Sequence, residues 1–195
     1  MPATLNPTQF INFAVPTPLR TMTIAFRTAT HDDIDALLEL VESAYRGDSS
    51  RLGWTTEADL LDGQRTDHDG LRATIDKDGS LIVLAERDGE LLGCANLERQ
   101  GDAAYFGMFA VRPGLQGKGI GDAILRECER IARDWRLRCV RMTVIWTRTE
   151  LIAFYRRRGY VATGERAPFP YGDERFGLPK RQDLWFEVYT KALTH

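Results

Sequence analysis

The residues of this chain most suited to binding a ligand form a glycine-rich stretch near its middle. Gly114, Gly117, Gly119 and Gly121 lie within eight positions, just after an apolar segment that ends at Arg112-Pro113. From residue 120 onward, apolar residues recur at helical spacing. Backbone N–H groups at the start of a helix lack partners, and glycine lets them approach a ligand closely. A simple turn is the alternative, but the stretch favours a phosphate- or pyrophosphate-binding loop.

The spacing of the glycines separates this loop from two common phosphate-binding motifs. A Walker A loop requires Ser or Thr after its lysine, but Lys118 is followed by Gly119. A dinucleotide fingerprint requires Gly-x-Gly-x-x-Gly, but the glycines here alternate with single residues. The run Gln116-Gly117-Lys118-Gly119-Ile120-Gly121, after Val-Arg-Pro, instead resembles the acetyl-CoA-binding motif Gln/Arg-x-x-Gly-x-Gly/Ala of the GNAT family of N-acetyltransferases.

A second stretch extends the resemblance. Phe154-Tyr155, followed by Gly159-Tyr160, is similar to the later GNAT motif of an aromatic pair and then glycine with an aromatic residue. The resemblance covers about Met22 to Lys191. It implies an α/β fold with one domain, in which helices flank a mixed, mostly antiparallel sheet with a V-shaped opening between its central strands.

The resemblance also implies where acetyl-CoA, the co-substrate, binds. Its pantetheine arm and acetyl carbonyl are expected on the strand before the loop, and its pyrophosphate on the loop itself. Arg148 stands where many members have Asn and is expected to contact a CoA phosphate or an acidic group of the acceptor. The predicted cofactor-binding residues are Phe109, Ala110, Val111, Gln116, Gly117, Lys118, Gly119, Ile120, Gly121 and Arg148.

Two residues are predicted to act in catalysis. Tyr155 matches the usual general acid of the family, which protonates the departing thiolate; packing beside Phe154 is the alternative role. Glu98 is the candidate general base, although the role of a solvated carboxylate at a strand end fits it better. None of the three cysteines, Cys94, Cys128 and Cys139, lies beside an evident base. Direct attack of the amine in a ternary complex is therefore expected rather than an acyl-cysteine route.

The acceptor pocket is expected between the segment after the first helix and a long late loop. Aromatic side chains with a few charges suit a small, partly apolar amine, such as an amino acid, a polyamine or an antibiotic. The predicted substrate-binding residues are Tyr45, Trp54, Glu57 and Tyr171. Two alternatives remain: acetylation of a protein N-terminus or lysine, and a catalytically silent module that binds acyl-CoA.

Composition excludes several other classes. The 195 residues carry a formal net charge of −2, without a long basic run, so nucleic acid is not an expected partner. No apolar run is long enough for a membrane helix, and no signal peptide is evident, so a cytoplasmic location without membrane association is expected. The histidines and cysteines show no metal-binding spacing. A homodimer formed through an exposed last strand is a further hypothesis.

The periodicity of the chain predicts the order β-α-α-β-β-β-α-β-α-β-β. Residues 1–21 are proline-rich with one charge and are expected to form an extended or disordered arm before a domain at 22–195. The pattern predicts a helix capped by Thr30, a short helix from Thr56 to Leu61, and a weak helix from Asp67 to Asp76. It also predicts a short strand over 160–163, a loop from Gly164 to Arg181, and a last strand.

Overall fold

The computed structural model describes residues 23–46, 50, 56–173 and 177–194. Both the predicted N-terminal arm and Trp54 lie outside this part of the chain. The elements, in chain order, are β1 (Ala25–Thr28), α1 (Ile34–Tyr45), β2 (Leu61–Asp62), α2 (His68–Asp76), β3 (Ser80–Arg87), β4 (Glu90–Gln100), β5 (Ala103–Val111), α3 (Ile120–Asp134), β6 (Cys139–Ile145), α4 (Thr149–Arg156), β7 (Val161–Pro168), β8 (Leu178–Pro179) and β9 (Trp185–Ala192).

Seven of the strands form one sheet in the order β1-β3-β4-β5-β6-β9-β7. Neighbouring strands are antiparallel except for β5 and β6, which run parallel. The α/β fold and the mostly antiparallel sheet flanked by helices are as predicted. Among the described helices, none is both long and apolar enough to cross a membrane.

Helices cover both faces of the sheet. On one face, α1 and α2 pack Leu37, Leu40 and Leu71 against alternate residues of β3 and β4. On the other, α3 and α4 bury Ile124 and Leu151 against the remaining residues of these strands and against β5 and β6. The central strands are therefore apolar at successive positions, as expected of strands that are buried on both sides.

Local capping chemistry explains where two helices begin. Asp33 accepts a 2.8 Å hydrogen bond from the backbone N–H of Thr30, and this capping pair starts the turn that leads into α1. Asp67 accepts a 2.7 Å hydrogen bond from the N–H of Gly70 at the start of α2. The sequence predicted the capping pair before α1 and, from its apolar spacing, a weak helix that begins at Asp67. In both helices a short polar side chain satisfies N–H groups that the first turn leaves unpaired.

Three predictions about the sheet and its loops are wrong. Residues 58–60 form a turn rather than a helix, and Leu61–Asp62 pairs as β2 with Leu178–Pro179 of the late loop. Strand β7 continues past Gly164 to Pro168, so the late loop begins later than predicted. The last strand, β9, pairs with β6 on one side and β7 on the other, so it does not offer the free edge proposed for a homodimer.

Candidate active site

The two parallel strands at the centre of the sheet separate part-way along their length. Ala103 pairs with Cys139, and the pairing ends two residues later, where Tyr105 lies opposite Arg141. Beyond that point the side chains of both strands line a cavity of about 160 Å³. This is the V-shaped opening between central strands that the sequence predicted.

A bulge in β5 shapes one wall of the opening. Between the pairs Cys94–Ala110 and Asn96–Gly107, strand β4 has one intervening residue and β5 has two. Met108 takes up this extra length with a positive φ of 45°, which is unusual for a residue with a side chain. The Phe109 carbonyl accepts a 2.7 Å hydrogen bond from the Tyr45 hydroxyl of α1, which ties the bulge to a helix.

The glycine-rich loop follows directly from the end of β5. Gly117 and Gly119 have φ values of 79° and 82°, and a Cβ at either position would face open space. Gly119 caps α3, and its carbonyl accepts the first helical hydrogen bond, from Ala123. The backbone N–H groups that precede Ala123 therefore have no carbonyl partner inside the helix. This arrangement fits a pyrophosphate.

The position of helix α3 depends on one further glycine and on two ion pairs. A Cβ on Gly121 would lie 2.9 Å from the Phe109 ring, so glycine allows α3 to pack closely against β5. Asp122, in the first turn, pairs with Arg158 at 2.7 Å and with Arg126 at 2.7 Å. These partners offset a negative charge that would otherwise oppose an anion at the helix start.

Tyr155 lies on α4 and reaches the cavity from the face covered by α3 and α4. Its ring contacts Phe106, Phe109, Phe154 and Tyr160, with centroid separations of 5.4–6.3 Å. Its side chain is buried, and this burial raises the pKa of Tyr155 well above its ordinary value. Among the described residues, its hydroxyl has no hydrogen-bond partner. The phenol is therefore protonated at neutral pH and able to donate.

A buried carboxylate lies on the opposite side of the cavity. Glu57 accepts hydrogen bonds from Arg46 at 2.9 Å and from Arg148 at 3.0 Å. Burial alone would raise the pKa of Glu57, but the positive charges of Arg148, Arg65 and Arg46 outweigh it and hold the pKa below its usual range. Glu57 is therefore ionised at neutral pH and is a weak proton acceptor.

Comparisons with known proteins agree with this geometry. The model of the acetyltransferase (GNAT) family matches residues 34–160, which include the bulged strand, the glycine loop and Tyr155. The chain belongs to the GNAT acetyltransferase family. A comparison with curated protein sequences finds no significant match.

Solved structures of GNAT proteins share the fold. The ribosomal-protein-S18-alanine N-acetyltransferase of Escherichia coli is 13% identical, with a TM-score of 0.65 over 89% of this chain and 96% of that one. The ribosomal-protein-alanine N-acetyltransferase of Brucella melitensis is 21% identical, with a TM-score of 0.65 over 87% and 99%. A nourseothricin acetyltransferase is 18% identical, with a TM-score of 0.62 over 88% and 99%. At such identities the likeness concerns the fold alone.

The structure of this GNAT protein brings many of the predicted site residues together. Phe109, Tyr45, Glu57, Arg148 and Tyr155 line the same cavity. Ala110 and Val111 continue the strand, and Gln116 to Gly121 form the loop beyond it. Arg148 forms an ion pair of 3.0 Å with Glu57 in the cavity lining.

Two of the predicted catalytic and substrate-binding residues, Glu98 and Tyr171, do not line the cavity. Glu98 lies on β4, where its carboxylate pairs with Lys77 at 2.7 Å and accepts a hydrogen bond from Gln100. Tyr171 braces the late loop, because its hydroxyl accepts from the Leu184 N–H at 2.7 Å and donates to the Arg181 carbonyl. The loop that contains Tyr171 still approaches the early segment, since Lys180 donates to the carbonyls of Leu60 and Ala58.

Sequence reasoning missed Arg65, which lines the cavity from the segment between β2 and α2. Its guanidinium lies over the ring of Tyr45, 5.2 Å from the centroid. Sequence reasoning also missed the hydrogen bond of 2.7 Å between the hydroxyls of Tyr105 and Thr143, which joins β5 to β6 at the start of the opening. Neither position belongs to a motif, so no signal in the sequence distinguished them.

Proposed function

We propose that this protein transfers the acetyl group of acetyl-CoA to the primary amine of a small molecule, by direct attack in a ternary complex. The observation that carries the proposal is the cavity between β5 and β6, which adjoins the glycine loop and is lined by Tyr155, whose hydroxyl has no hydrogen-bond partner among the described residues. Its volume of about 160 Å³ lies below the range typical of pockets for drug-sized ligands. A small amine fits this space better than a folded polypeptide segment does.

Acetyl-CoA would lie along β5, with its pyrophosphate on the N–H groups of residues 116–121. Beyond Tyr105, the edge of β5 that faces β6 is not paired with that strand, so its backbone can bind the amides of a pantetheine arm as a further strand would. Acetyl-CoA supplies a thioester whose carbonyl carbon is open to attack. An N–H near the bulge would stabilise the negative charge that develops on the carbonyl oxygen.

Tyr155 would act as the general acid. The neutral amine nitrogen forms a bond to the carbonyl carbon, the carbon–sulfur bond breaks, and the sulfur takes the phenolic proton. The acetylated nitrogen then loses its extra proton, which returns through water to the phenolate and restores the acid. Burial keeps this phenol protonated, and the aromatic side chains around it hold its ring in place. A positioned acid of this kind contributes roughly 10²–10⁴-fold to the rate.

Proton loss from the incoming amine would occur to water. Glu98 is held by Lys77 away from the cavity lining, and Glu57 is the one carboxylate among the described residues that line it. Because arginines hold the pKa of Glu57 low, its carboxylate is a poor proton acceptor. Its role is to hold Arg46 and Arg148 in place. A pH profile of kcat that follows the pKa of the amine substrate would support this assignment. A hundredfold fall in kcat for Glu98→Gln would restore Glu98 as the base.

The experiment that tests the proposal measures CoA release from acetyl-CoA over a panel of small amines, amino acids, polyamines and peptides. Wild type and Tyr155→Phe are compared, with Tyr160→Phe as a matched loss of a hydroxyl outside the cavity lining. Turnover on small amines that falls at least a hundredfold in Tyr155→Phe alone supports both the reaction and the acid. Acetyl-CoA binding without turnover on any amine would overturn the proposal.

A further inference from the structure

Arg65 has an unusual position for an arginine. The N–H groups of Arg65 and Thr66 donate to one carboxylate oxygen of Glu42, at 2.6 and 2.9 Å, and so fix this segment beside α1. The half-buried side chain then extends over the ring of Tyr45 and lines the cavity. Of the residues that the structure describes, none forms a hydrogen bond or an ion pair with the Arg65 guanidinium.

Among the described residues, the arginines around the cavity outnumber the carboxylates. Arg46 and Arg148 each contact one oxygen of Glu57, and these three groups already carry a net positive charge. Among the described residues, Glu42 supplies a second carboxylate next to Arg65, but its bonded oxygen is occupied by backbone N–H groups. The cavity is therefore positive next to the place where an acceptor must bind. A polyamine, which is positively charged throughout, would be repelled there.

A guanidinium that has no hydrogen-bond or ion-pair partner among the described residues, and that lies beside a reaction site, suits an anionic group of the substrate. The planar fork of arginine offers paired N–H donors that match the two oxygens of a carboxylate, and such charge-assisted bonds are among the stronger ones in proteins. The stacking of Arg65 on Tyr45 holds the guanidinium in place before the ligand arrives, which reduces the entropy lost on binding. The Tyr45 hydroxyl in turn bonds Phe109, so the same tyrosine links Arg65 to the bulge.

We propose that the acceptor is a small primary amine that carries a carboxylate, as an amino acid does, and that Arg65 binds this carboxylate. The inference rests on the proposed acetyl transfer and narrows its substrate class. Arg148 contributes further positive charge, with its guanidinium 5.7 Å from the centroid of the same Tyr45 ring. A peptide N-terminus, which has an amide at the corresponding position, lacks the group that Arg65 would recognise.

The test compares L-amino acids with their own carboxamides as acceptors. The ratio of kcat/KM for acid over amide is measured in wild type, Arg65→Gln, Arg65→Lys and Arg72→Gln. Arg72 is an exposed arginine on α2 outside the cavity lining and serves as the matched control. Acid and amide differ in the pKa of the amine, but this difference cancels when the same ratio is compared between variants.

We expect wild type to prefer at least one acid, and the ratio to fall roughly 10- to 100-fold in Arg65→Gln, as for loss of a charged hydrogen bond. Arg65→Lys should retain part of the preference, and Arg72→Gln all of it. A wild type that acetylates acid and amide equally, or a ratio unchanged in Arg65→Gln, would overturn the inference while leaving the acetyltransferase intact. Failure to acetylate any amine would instead refute the proposed function.

A binding measurement gives a second readout that does not depend on turnover. N-acetyl amino acids and their amides are titrated into the CoA-loaded protein and followed by calorimetry. The acid should bind at least tenfold more tightly than the amide in wild type and no more tightly in Arg65→Gln. Equal affinities in wild type would contradict a carboxylate site at Arg65. Melting curves of each variant establish that the fold is retained.

Discussion

The hydroxyl of Tyr45 donates a hydrogen bond of 2.7 Å to the backbone carbonyl of Phe109, and both groups are buried. This bond joins the last turn of α1 to the bulge of β5, at the point where the cavity begins. Burial raises the pKa of Tyr45, so the phenol remains a donor across the neutral range. The shape of the bulged strand therefore depends in part on a helix that is distant in sequence.

Replacing Tyr45 with Phe should disturb both stability and acetyl transfer. The Phe109 carbonyl would lose its side-chain donor in a buried place, which costs about 1–3 kcal/mol of unfolding free energy. A looser bulge should also lower kcat/KM for acetyl-CoA roughly tenfold, equivalent to about 1.4 kcal/mol. Urea unfolding and steady-state kinetics measure the two effects.

The matched control for this variant is Tyr189→Phe. The Tyr189 hydroxyl donates to Glu187 at 2.7 Å and accepts from Arg156, outside the cavity lining. It should lose stability without a comparable loss of kcat/KM. Equal kinetic losses in the two variants would indicate that the bond to Phe109 has no particular role.

If Tyr155 is the general acid, its pKa determines how kcat depends on pH above neutrality. Because burial raises the folded-state pKa above the ordinary value of 10.0, the phenol should remain protonated throughout pH 7–10. We expect kcat to rise as the amine loses its proton and not to fall again below pH 10. A decline with a midpoint below pH 9 would contradict this. Because the pKa of Tyr155 is raised in the folded state, its contribution to the unfolding free energy should be constant below about pH 10 and should decrease above that pH.

The buried pair between Glu57 and its arginines should make Glu57→Gln strongly destabilising. Removing the carboxylate takes away the counter-charge that Arg46 and Arg148 share, and breaking such a buried pair costs about 3–5 kcal/mol. Glu165→Gln, which removes an exposed partner of Arg141, should cost less than about 1 kcal/mol. Urea unfolding at pH 7 compares the two variants.

The pH dependence of the Glu57 contribution follows from its lowered pKa. A carboxylate whose folded-state pKa lies below the ordinary value of 4.5 stabilises the protein above that pH, and this stability is lost as the pH falls through the folded-state value. The difference in unfolding free energy between wild type and Glu57→Gln should therefore shrink below pH 4.5. A difference that stays constant from pH 7 to pH 3 would contradict the ion-pair assignment.

Gly119→Ala should weaken acetyl-CoA binding through the backbone. Its φ of 82° is strained for alanine, although a Cβ there would meet nothing, so the loop must either bear the strain or turn its N–H groups away. We expect the Kd for acetyl-CoA to rise roughly tenfold. Gly164→Ala, with a φ of 84° and equally open surroundings on β7, is the matched control. Calorimetry that gives the same Kd for both variants would contradict the assignment of the loop.

The cysteines should react slowly in the folded protein. Burial raises the pKa of Cys94 to about 12 and that of Cys128 further, so neither forms a thiolate at neutral pH. A thiol reagent should modify the partly exposed Cys139 first, and all three only after denaturation. Mass spectrometry should find no acetyl-cysteine after incubation with acetyl-CoA. An acetylated Cys94 would contradict direct attack of the amine.

Local patterns in the sequence predicted much of the fold, and within the site they predicted the glycine loop and Tyr155. The glycines at 117, 119 and 121 and the apolar spacing after residue 120 predicted the start of α3, because a turn and a helix cap depend on residues a few positions apart. The spacing of Leu71 and Ile75 predicted α2. Apolar runs between tight turns predicted β3, β4 and β5, and the resemblance to the GNAT motif implied that Tyr155 would reach the site.

Only the tertiary structure determined how distant parts of the chain meet. The pairing of β2 with β8, the position of β9 inside the sheet and the ion pair of Glu57 with Arg148 join residues that are far apart in sequence. Whether a carboxylate such as Glu98 or Glu57 faces the cavity depends on strand register and burial, which single residues do not encode. Arg65 belongs to no motif, and its place over Tyr45 results from the packing of a loop against α1.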